Sequence, residues 1–293
     1  LNAAEPAKAT VKLDTSKPWP QTPGHHRLKA TATAAGQTFQ LPYLLYLPKD
    51  YDKSKDLKPT FVFLHGAGED GNDLNGIFVH GPAPELEKPQ GFKDKYPFIG
   101  LYPQCDNRRW DTPGTAAAVI ALLDEVSKIY RIDKDRVYAS GLSMGGRGTW
   151  MVAMEAPDRF AAIAPISAVE HDSANAPTRL KGLATWIIAG SEDGDFTRGS
   201  RKMYALMKEA GCEVYQTVWP GEGHGVWGRY YPDPRFYEWL VKHSRKSIAQ
   251  GAPPAASSTS SRGAPASRAF STSSLITLAG RSTTSPAAMQ ALT

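Results

Sequence analysis

The segment Gly141-Leu142-Ser143-Met144-Gly145 sets a serine between glycines two before and two after it. That spacing suits a nucleophile at the tip of a sharp strand-to-helix turn, where a side chain at either glycine would collide with the strand or the helix. The helix that follows aims its N-terminus at the serine and favours negative charge there. In a chain with 26 glycines the pattern alone is weak, and a glycine-rich turn with a capping serine is the plainer alternative. The flanks favour the nucleophile: an apolar strand pattern, Arg136-Val-Tyr-Ala-Ser140, runs into the turn, and a helical pattern over 144–155 leaves it.

A serine nucleophile needs a base, a group that orients the base, and donors for the oxyanion. Pro220-Gly-Glu-Gly-His-Gly-Val-Trp227 puts His224 between glycines that keep a loop histidine accessible, so His224 is the candidate base. His65 lies next to the oxyanion loop, His171 comes too early in the chain, and His243 falls on the last helix, where a surface or capping role is commoner. Gly190-Ser-Glu-Asp-Gly-Asp-Phe196 offers three acids, Glu192, Asp193 and Asp195, of which Asp193 is the choice, three residues beyond Gly190. A solvated acidic turn would look the same. Leu64-His65-Gly66-Ala67-Gly68-Glu69 follows an apolar strand, and its small residues let a carbonyl approach the backbone. The candidate oxyanion donors are the N–H groups of Ala67 and Met144, one such donor being worth on the order of 3 kcal/mol. The same stretch, Gly66 to Gly71, also fits a dinucleotide-binding G-x-G-x-x-G. The residues after it, Asn-Asp-Leu-Asn-Gly, start a helix poorly, two strands precede it, and nucleotide binding leaves the serine turn unexplained.

These pieces sit among alternating strand and helix patterns. Strands are expected at 28–34 and 38–47 as an antiparallel pair, then at 60–65, 97–102, 136–140, 161–165, 183–189 and 213–219. Helices are expected over 115–130, 144–155, 197–210 and 233–246. Such alternation predicts a mostly parallel sheet covered by helices on both faces. The expected division is a lead segment over 1–26, a catalytic domain over 27–247 and a tail over 248–293. The tail is rich in Ala, Ser, Thr, Pro and Gly, with too few large apolar residues to offset ordering entropy.

The composition is ordinary, 41% hydrophobic and 22% charged over 293 residues. The net charge is +5, but three arginines of the excess lie after Ile248, where there is no acidic residue, so the remainder is nearly balanced. The basic pI is therefore no argument for nucleic acid. No run of about 20 apolar residues predicts a membrane span. Two cysteines, Cys105 and Cys212, leave open one bridge or two free thiols. The histidines are scattered without metal spacing, and His25-His26 reads as a solvated loop, so no metal site is expected. The opening Leu1-Asn-Ala-Ala-Glu-Pro-Ala7 looks like the end of a signal peptide, which predicts a secreted or periplasmic protein.

With Tyr46-Leu-Pro-Lys-Asp-Tyr51, Phe63-Leu-His-Gly-Ala-Gly-Glu-Asp-Gly-Asn72, Tyr102-Pro-Gln-Cys105 and Trp110 added to the serine turn and the Gly-His-Gly segment, the chain resembles the esterase and predicted-peptidase branch of the α/β-hydrolases. That branch neighbours dienelactone hydrolases, polyhydroxybutyrate depolymerases and feruloyl-esterase-like enzymes. The resemblance spans about 38–245. It implies an α/β-hydrolase fold with a sheet of the eight-stranded type and hydrolysis of carboxylic esters without a cofactor. The order Ser143, Asp193, His224 is the order of that fold. Only 50 residues separate Ser143 from Asp193, too few for a strand, a helix, another strand and a large cap. The expected site is open, roofed by the loop 66–96 and by loops carrying Trp110 and Trp227, with Glu69 as a third candidate substrate contact. Plain packing is the equal alternative for each tryptophan. An open aromatic cleft suits bulky or polymeric esters, such as plant-wall acyl groups or polyesters. A serine peptidase of the same fold and a non-catalytic binding protein are the competing functions.

Overall fold

The computed structural model describes residues 8–89, 92–106 and 108–246. Its elements, in chain order, begin with β1 (Thr10–Leu13), β2 (Gly24–Leu28), β3 (Ala30–Ala34), β4 (Gln37–Gln40), β5 (Tyr43–Leu47) and β6 (Lys58–Leu64). After them come α1 (Pro82–Glu87), β7 (Ile99–Pro103), α2 (Thr115–Ser127), β8 (Ile132–Leu142) and α3 (Met144–Glu155). The chain then runs through β9 (Ala162–Ile166), α4 (Ala176–Arg179), β10 (Ala184–Gly190), α5 (Gly194–Glu209), β11 (Val214–Trp219) and α6 (Pro234–Val241).

Eight strands form one sheet in the order β11-β10-β9-β8-β6-β7-β5-β2. From β11 to β7 every neighbouring pair is parallel, and β5 and β2 join antiparallel at one edge. The central strands are short continuous apolar runs because both faces are covered: β6, β9 and β10 are buried along their whole lengths. Two apolar cores result, one on each face. Leu64, Val137 and Ile163 belong to one with Leu122 of α2 and Val152 of α3, and Phe61, Tyr138 and Ile188 to the other with Phe236 and Leu240 of α6. This is an α/β-hydrolase fold. Between β9 and β10 the chain makes only the four-residue α4, so no cap domain is inserted there. No helix among the described residues is long and apolar enough to cross a membrane.

The N-terminal stretch departs from expectation. The described part of the expected lead segment, 8–26, is not merely a lead: β1 pairs with β3, and with β4 they form a separate three-stranded antiparallel sheet. β2 is an edge strand of the main sheet, paired to β5. His25 is thus no solvated loop residue; its Nδ1 meets Glu87 Oε1 at 2.5 Å and its ring lies 4.9 Å from Tyr46. The two strands expected at 28–34 and 38–47 are four, because the chain leaves one sheet for the other at Lys29 and again at Leu41-Pro42. There the Leu41 N–H still reaches Ala30 O, and proline cannot donate to a ladder. Cys105 and Cys212 are both free thiols, Cys105 buried against His65 and Cys212 donating to Pro177 O. The tail expected over 248–293 lies outside the described residues.

Candidate active site

The site is built where three parallel strands end. Strand β8 runs into Ser143, whose backbone adopts φ 55° and ψ −115° before α3 begins at Met144. This is a costly conformation for a residue with a Cβ, and the surroundings enforce it. The Ser143 N–H donates to Ile166 O at 2.9 Å, tying the turn to the end of β9. The turn closes because Gly145 passes directly over β6: a Cβ there would overlap the Leu64 carbonyl, so only glycine fits.

Asp193 follows β10 and stands at the N-cap of α5, yet its side chain makes no capping bond. Its carboxylate turns away from its own helix. Oδ1 instead lies 2.8 Å from His224 Nδ1, with the side chain only 5% exposed. The Thr197 hydroxyl fixes this turn by donating to Gly190 O at 2.6 Å and accepting the Asp193 N–H at 3.2 Å. His224 lies on the loop after β11. Its carbonyl accepts the Ser167 hydroxyl at 3.1 Å, and the neighbouring Glu222 O accepts the Glu192 N–H at 2.9 Å. His224 Nε2 then lies 2.8 Å from Ser143 Oγ. A carboxylate on Nδ1 keeps the proton on that nitrogen, which leaves Nε2 free to accept from the serine O–H. The chain Ser143–His224–Asp193 is therefore connected by two hydrogen bonds of ordinary length. The competing acids lie outside it: Asp195 is exposed and paired with Arg198, and Glu192 is exposed. His171 sits half-buried near Arg147 and Asp111, with burial lowering its pKa, and His243 is buried between Trp239 O and Glu213.

The Ala67 N–H has no acceptor among the described residues, and Ala67 is exposed. Met144 is the first residue of α3, where the initial N–H groups find no partner inside the helix. Both amides flank the serine turn and are able to donate to an oxygen developing charge. The serine is half-exposed and the histidine ring 40% exposed, so the site opens to solvent.

The three candidate substrate contacts divide. Trp227 does stand at the rim, edge-on to His224 at 5.1 Å and beside His80 at 5.6 Å. Trp110 does not: it is 1% exposed, and its Nε1–H donates to His65 O at 2.9 Å, so it packs beneath the loop that carries Gly66 and Ala67. Glu69 is also withdrawn from solvent. Its side chain is 5% exposed, and Oε2 accepts the Gly66 N–H at 2.9 Å. Burial pushes its pKa up to about 7, partly opposed by that same hydrogen bond. His65 is buried too, its Nδ1 at 2.8 Å from Gly66 O, and burial lowers its pKa to about 4, so the ring is neutral. Phe196 is a residue that the sequence does not single out. It packs on the His224 ring with centroids 4.2 Å apart. The available signal is an apolar residue on the first helical turn after an acidic loop.

Residues 41–179 match the family described as Esterase PHB depolymerase. A stretch of 111 residues, 37% of this chain, is 34% identical to the bifunctional acetylxylan esterase/xylanase of Neocallimastix patriciarum. The chain covers only 16% of that longer protein. The crystal structure of a thermostable esterase is similar at 30% identity and a TM-score of 0.63, over 74% of this chain and 63% of that one. A feruloyl esterase module from Clostridium thermocellum, complexed with sinapinate, shares the fold at 19% identity and a TM-score of 0.55, over 80% of this chain and 96% of that one.

Proposed function

We propose, from the match of residues 41–179 to an esterase family and the similarity to a solved esterase, that the chain cleaves carboxylic esters through an acyl-enzyme on Ser143. The observation that carries this reading is the unbroken relay at the ends of β8, β10 and β11: Asp193 Oδ1 to His224 Nδ1, and His224 Nε2 to Ser143 Oγ, each 2.8 Å. In the first half-reaction His224 removes the serine proton as Oγ attacks the ester carbonyl. Negative charge gathers on the carbonyl oxygen, where the Ala67 and Met144 amides receive it. Asp193 holds the ring and stabilises its charged form. His224 then hands the proton to the departing alcohol. In the second half-reaction a water, deprotonated by His224, attacks the acyl carbon, and Oγ recovers its proton as the acid leaves.

On the substrate, two features point the same way. No helical cap stands between β9 and β10, and the rim carries Trp227, Phe196 and His80 around a half-exposed serine. A surface of that form accepts an ester projecting from a bulky or polymeric alcohol. The partial similarity to an acetylxylan esterase/xylanase supports an acylated plant-wall sugar as the first candidate.

The test is Ser143→Ala assayed on a panel of acetyl and feruloyl esters, an insoluble polyester and a chromogenic amide. The expected result is loss of ester turnover by roughly 10⁴-fold or more with melting unchanged. Full ester activity in a folded Ser143→Ala protein would overturn the mechanism. Faster cleavage of the amide than of any ester would make the protein a peptidase.

A further inference from the structure

Ester hydrolysis on Ser143, the reading on which this inference rests, needs the Ala67 N–H to face the reacting carbonyl. Yet Ala67 lies on a loop whose Gly66 and Gly68 give the backbone room to turn. A peptide flip at 66–67 would present a carbonyl oxygen to the oxyanion instead of a donor. The neighbouring groups hold two consecutive peptide planes. In the plane joining His65 to Gly66, the His65 carbonyl accepts the Trp110 indole N–H at 2.9 Å and the Gly66 N–H donates to Glu69 Oε2 at 2.9 Å, so both polar groups are occupied. In the plane joining Gly66 to Ala67, the Gly66 carbonyl lies 2.8 Å from His65 Nδ1. The Cys105 N–H donates to His65 Nε2 at 3.2 Å, which leaves the proton of the neutral ring on Nδ1, aimed at Gly66 O. The N–H and C=O of a trans peptide point in opposite directions. With the Gly66 oxygen held inward, the Ala67 N–H points outward, and it is the one polar group of the two planes without a protein partner among the described residues.

We propose that Glu69 is a positioning residue for ester hydrolysis, its carboxyl group holding the Gly66 N–H so that the next peptide presents the Ala67 N–H to the oxyanion. His65 and Trp110 are part of the backbone-packed floor. Glu69 is the contact contributed by the loop itself, reaching back three residues. Its own main chain is anchored from outside, since Gln104 Nε2 donates to Glu69 O at 2.8 Å while Gln104 Oε1 accepts the Leu74 N–H at 2.7 Å. The side chain is therefore delivered from an anchored stretch of main chain. Its other oxygen, Oε1, faces His80 Nε2 at 3.9 Å, beyond a direct hydrogen bond, so the short contact is the one to Gly66. Either protonation state of the carboxyl can accept that N–H, so the role needs an oxygen at this place rather than a charge.

Three variants separate this from a structural role. Glu69→Gln keeps an acceptor oxygen at the same reach. Glu69→Asp keeps the carboxylate but withdraws it by one methylene, and Glu69→Ala removes it. Measured on a soluble acetyl ester, Gln is expected within about threefold of the parent kcat. Ala and Asp are expected to lose roughly 10- to 100-fold in kcat with KM changed by about twofold at most, short of the 10²–10³ lost when a donor is removed outright. Inhibition by a trifluoromethyl ketone, which forms the tetrahedral oxyanion on the serine, is expected to weaken by the same factor as kcat. A merely structural loss would lower melting without this split and without rescue by Gln. The proposal is overturned if a folded Ala or Asp variant keeps the parent kcat, or if folded Gln is as impaired as Ala. Should Ala fail to fold, the Gln and Asp pair decides it alone. Labelling of the parent protein by a fluorophosphonate distinguishes the two levels. A labelled, ester-cleaving parent with indifferent Glu69 variants rejects only this role, and an inert parent rejects the catalytic reading and this role with it.

Discussion

Asp193 holds His224 through one carboxylate oxygen and keeps the other, Oδ2, buried with no protein partner among the described residues. Such a group is poorly compensated as a charge and well placed as an orienting device, since nothing else competes for its interaction with the ring. Replacing it by asparagine removes the buried charge, so Asp193→Asn is expected to melt no lower than the parent. The amide can hold the ring in the wrong tautomer, with the proton facing the serine, and kcat is expected to fall by about 10³–10⁴-fold. Steady-state kinetics together with a thermal melt check both halves, and kcat within about tenfold of the parent would reject the role. Asp195→Asn is the control. That residue is exposed and paired with Arg198 on the surface, so kcat is expected to change by about twofold at most. The sequence alone offers Glu192, Asp193 and Asp195 as near equals, because any of the three makes an acidic turn. They differ in burial, since Asp193 is buried against His224 while Glu192 and Asp195 are exposed. Trp110 and Trp227 carry the same ambiguity. A tryptophan beside a glycine-rich loop can be floor or wall, and what makes Trp110 floor is a hydrogen bond to His65 O and a fit against Gly148, where a Cβ would strike the indole. Neither neighbour is adjacent in sequence.

At the scale of elements, the central strands and the helices packed on them are legible because each has one period and one environment. The strand expected at 136–140 lies within β8, the helix expected over 144–155 is α3, and the serine turn between them follows from glycine spacing. Helix ends drift where no cap marks them, so the expected 233–246 is α6 over Pro234–Val241. The N-terminal strands are harder because alternation runs on across a change of sheet. From Phe39 to Leu47 the odd positions Phe39, Leu41, Tyr43, Leu45 and Leu47 are apolar without interruption, although β4 belongs to one sheet and β5 to the other. β1 leaves no sequence signal, being four residues long in a stretch rich in proline and lysine. It nevertheless buries Leu13 and packs Val11 against the core that includes α2 and β3. A chain trimmed to begin at Lys17 should therefore lose about 2–3 kcal/mol of apolar burial and melt roughly 5–10 °C lower. The site lies at the far ends of other strands, so kcat is expected to stay within about twofold. Differential scanning calorimetry with the acetyl-ester assay measures both, and an unchanged melting temperature would mean that β1 adds nothing to the fold.

For the whole molecule, the buried groups beneath the loop of Gly66 and Ala67 also set how stability depends on pH. Burial raises the Glu69 carboxyl to about 7 from an ordinary value of 4.5, and lowers His65 to about 4 from 6.5. For Glu69 the native state keeps a proton that the unfolded chain releases between about pH 4.5 and 7. The native state therefore loses stability as pH rises through that window. For His65 the unfolded chain gains a proton between about pH 6.5 and 4 that the native state refuses, so stability is lost as pH falls. Each effect amounts to about 3 kcal/mol across its window. They have opposite signs and nearly the same range, so in the parent protein they largely cancel. Glu69→Gln removes one and leaves the other. Compared with the parent, the variant is expected to gain about 3 kcal/mol in unfolding free energy between pH 4.5 and 8, because its amide cannot ionise. Its own curve should rise steeply from pH 4 to 6.5, where the His65 contribution is no longer masked. Urea unfolding at pH 4.5, 6 and 8 gives the difference directly, and the contributions of surface groups such as Asp14 and Asp94 are common to both proteins and drop out. Parallel curves for variant and parent would mean that Glu69 titrates as an ordinary carboxylate. Its carboxyl would then sit in wetter surroundings than its 5% exposure and its contact with the Gly66 N–H imply.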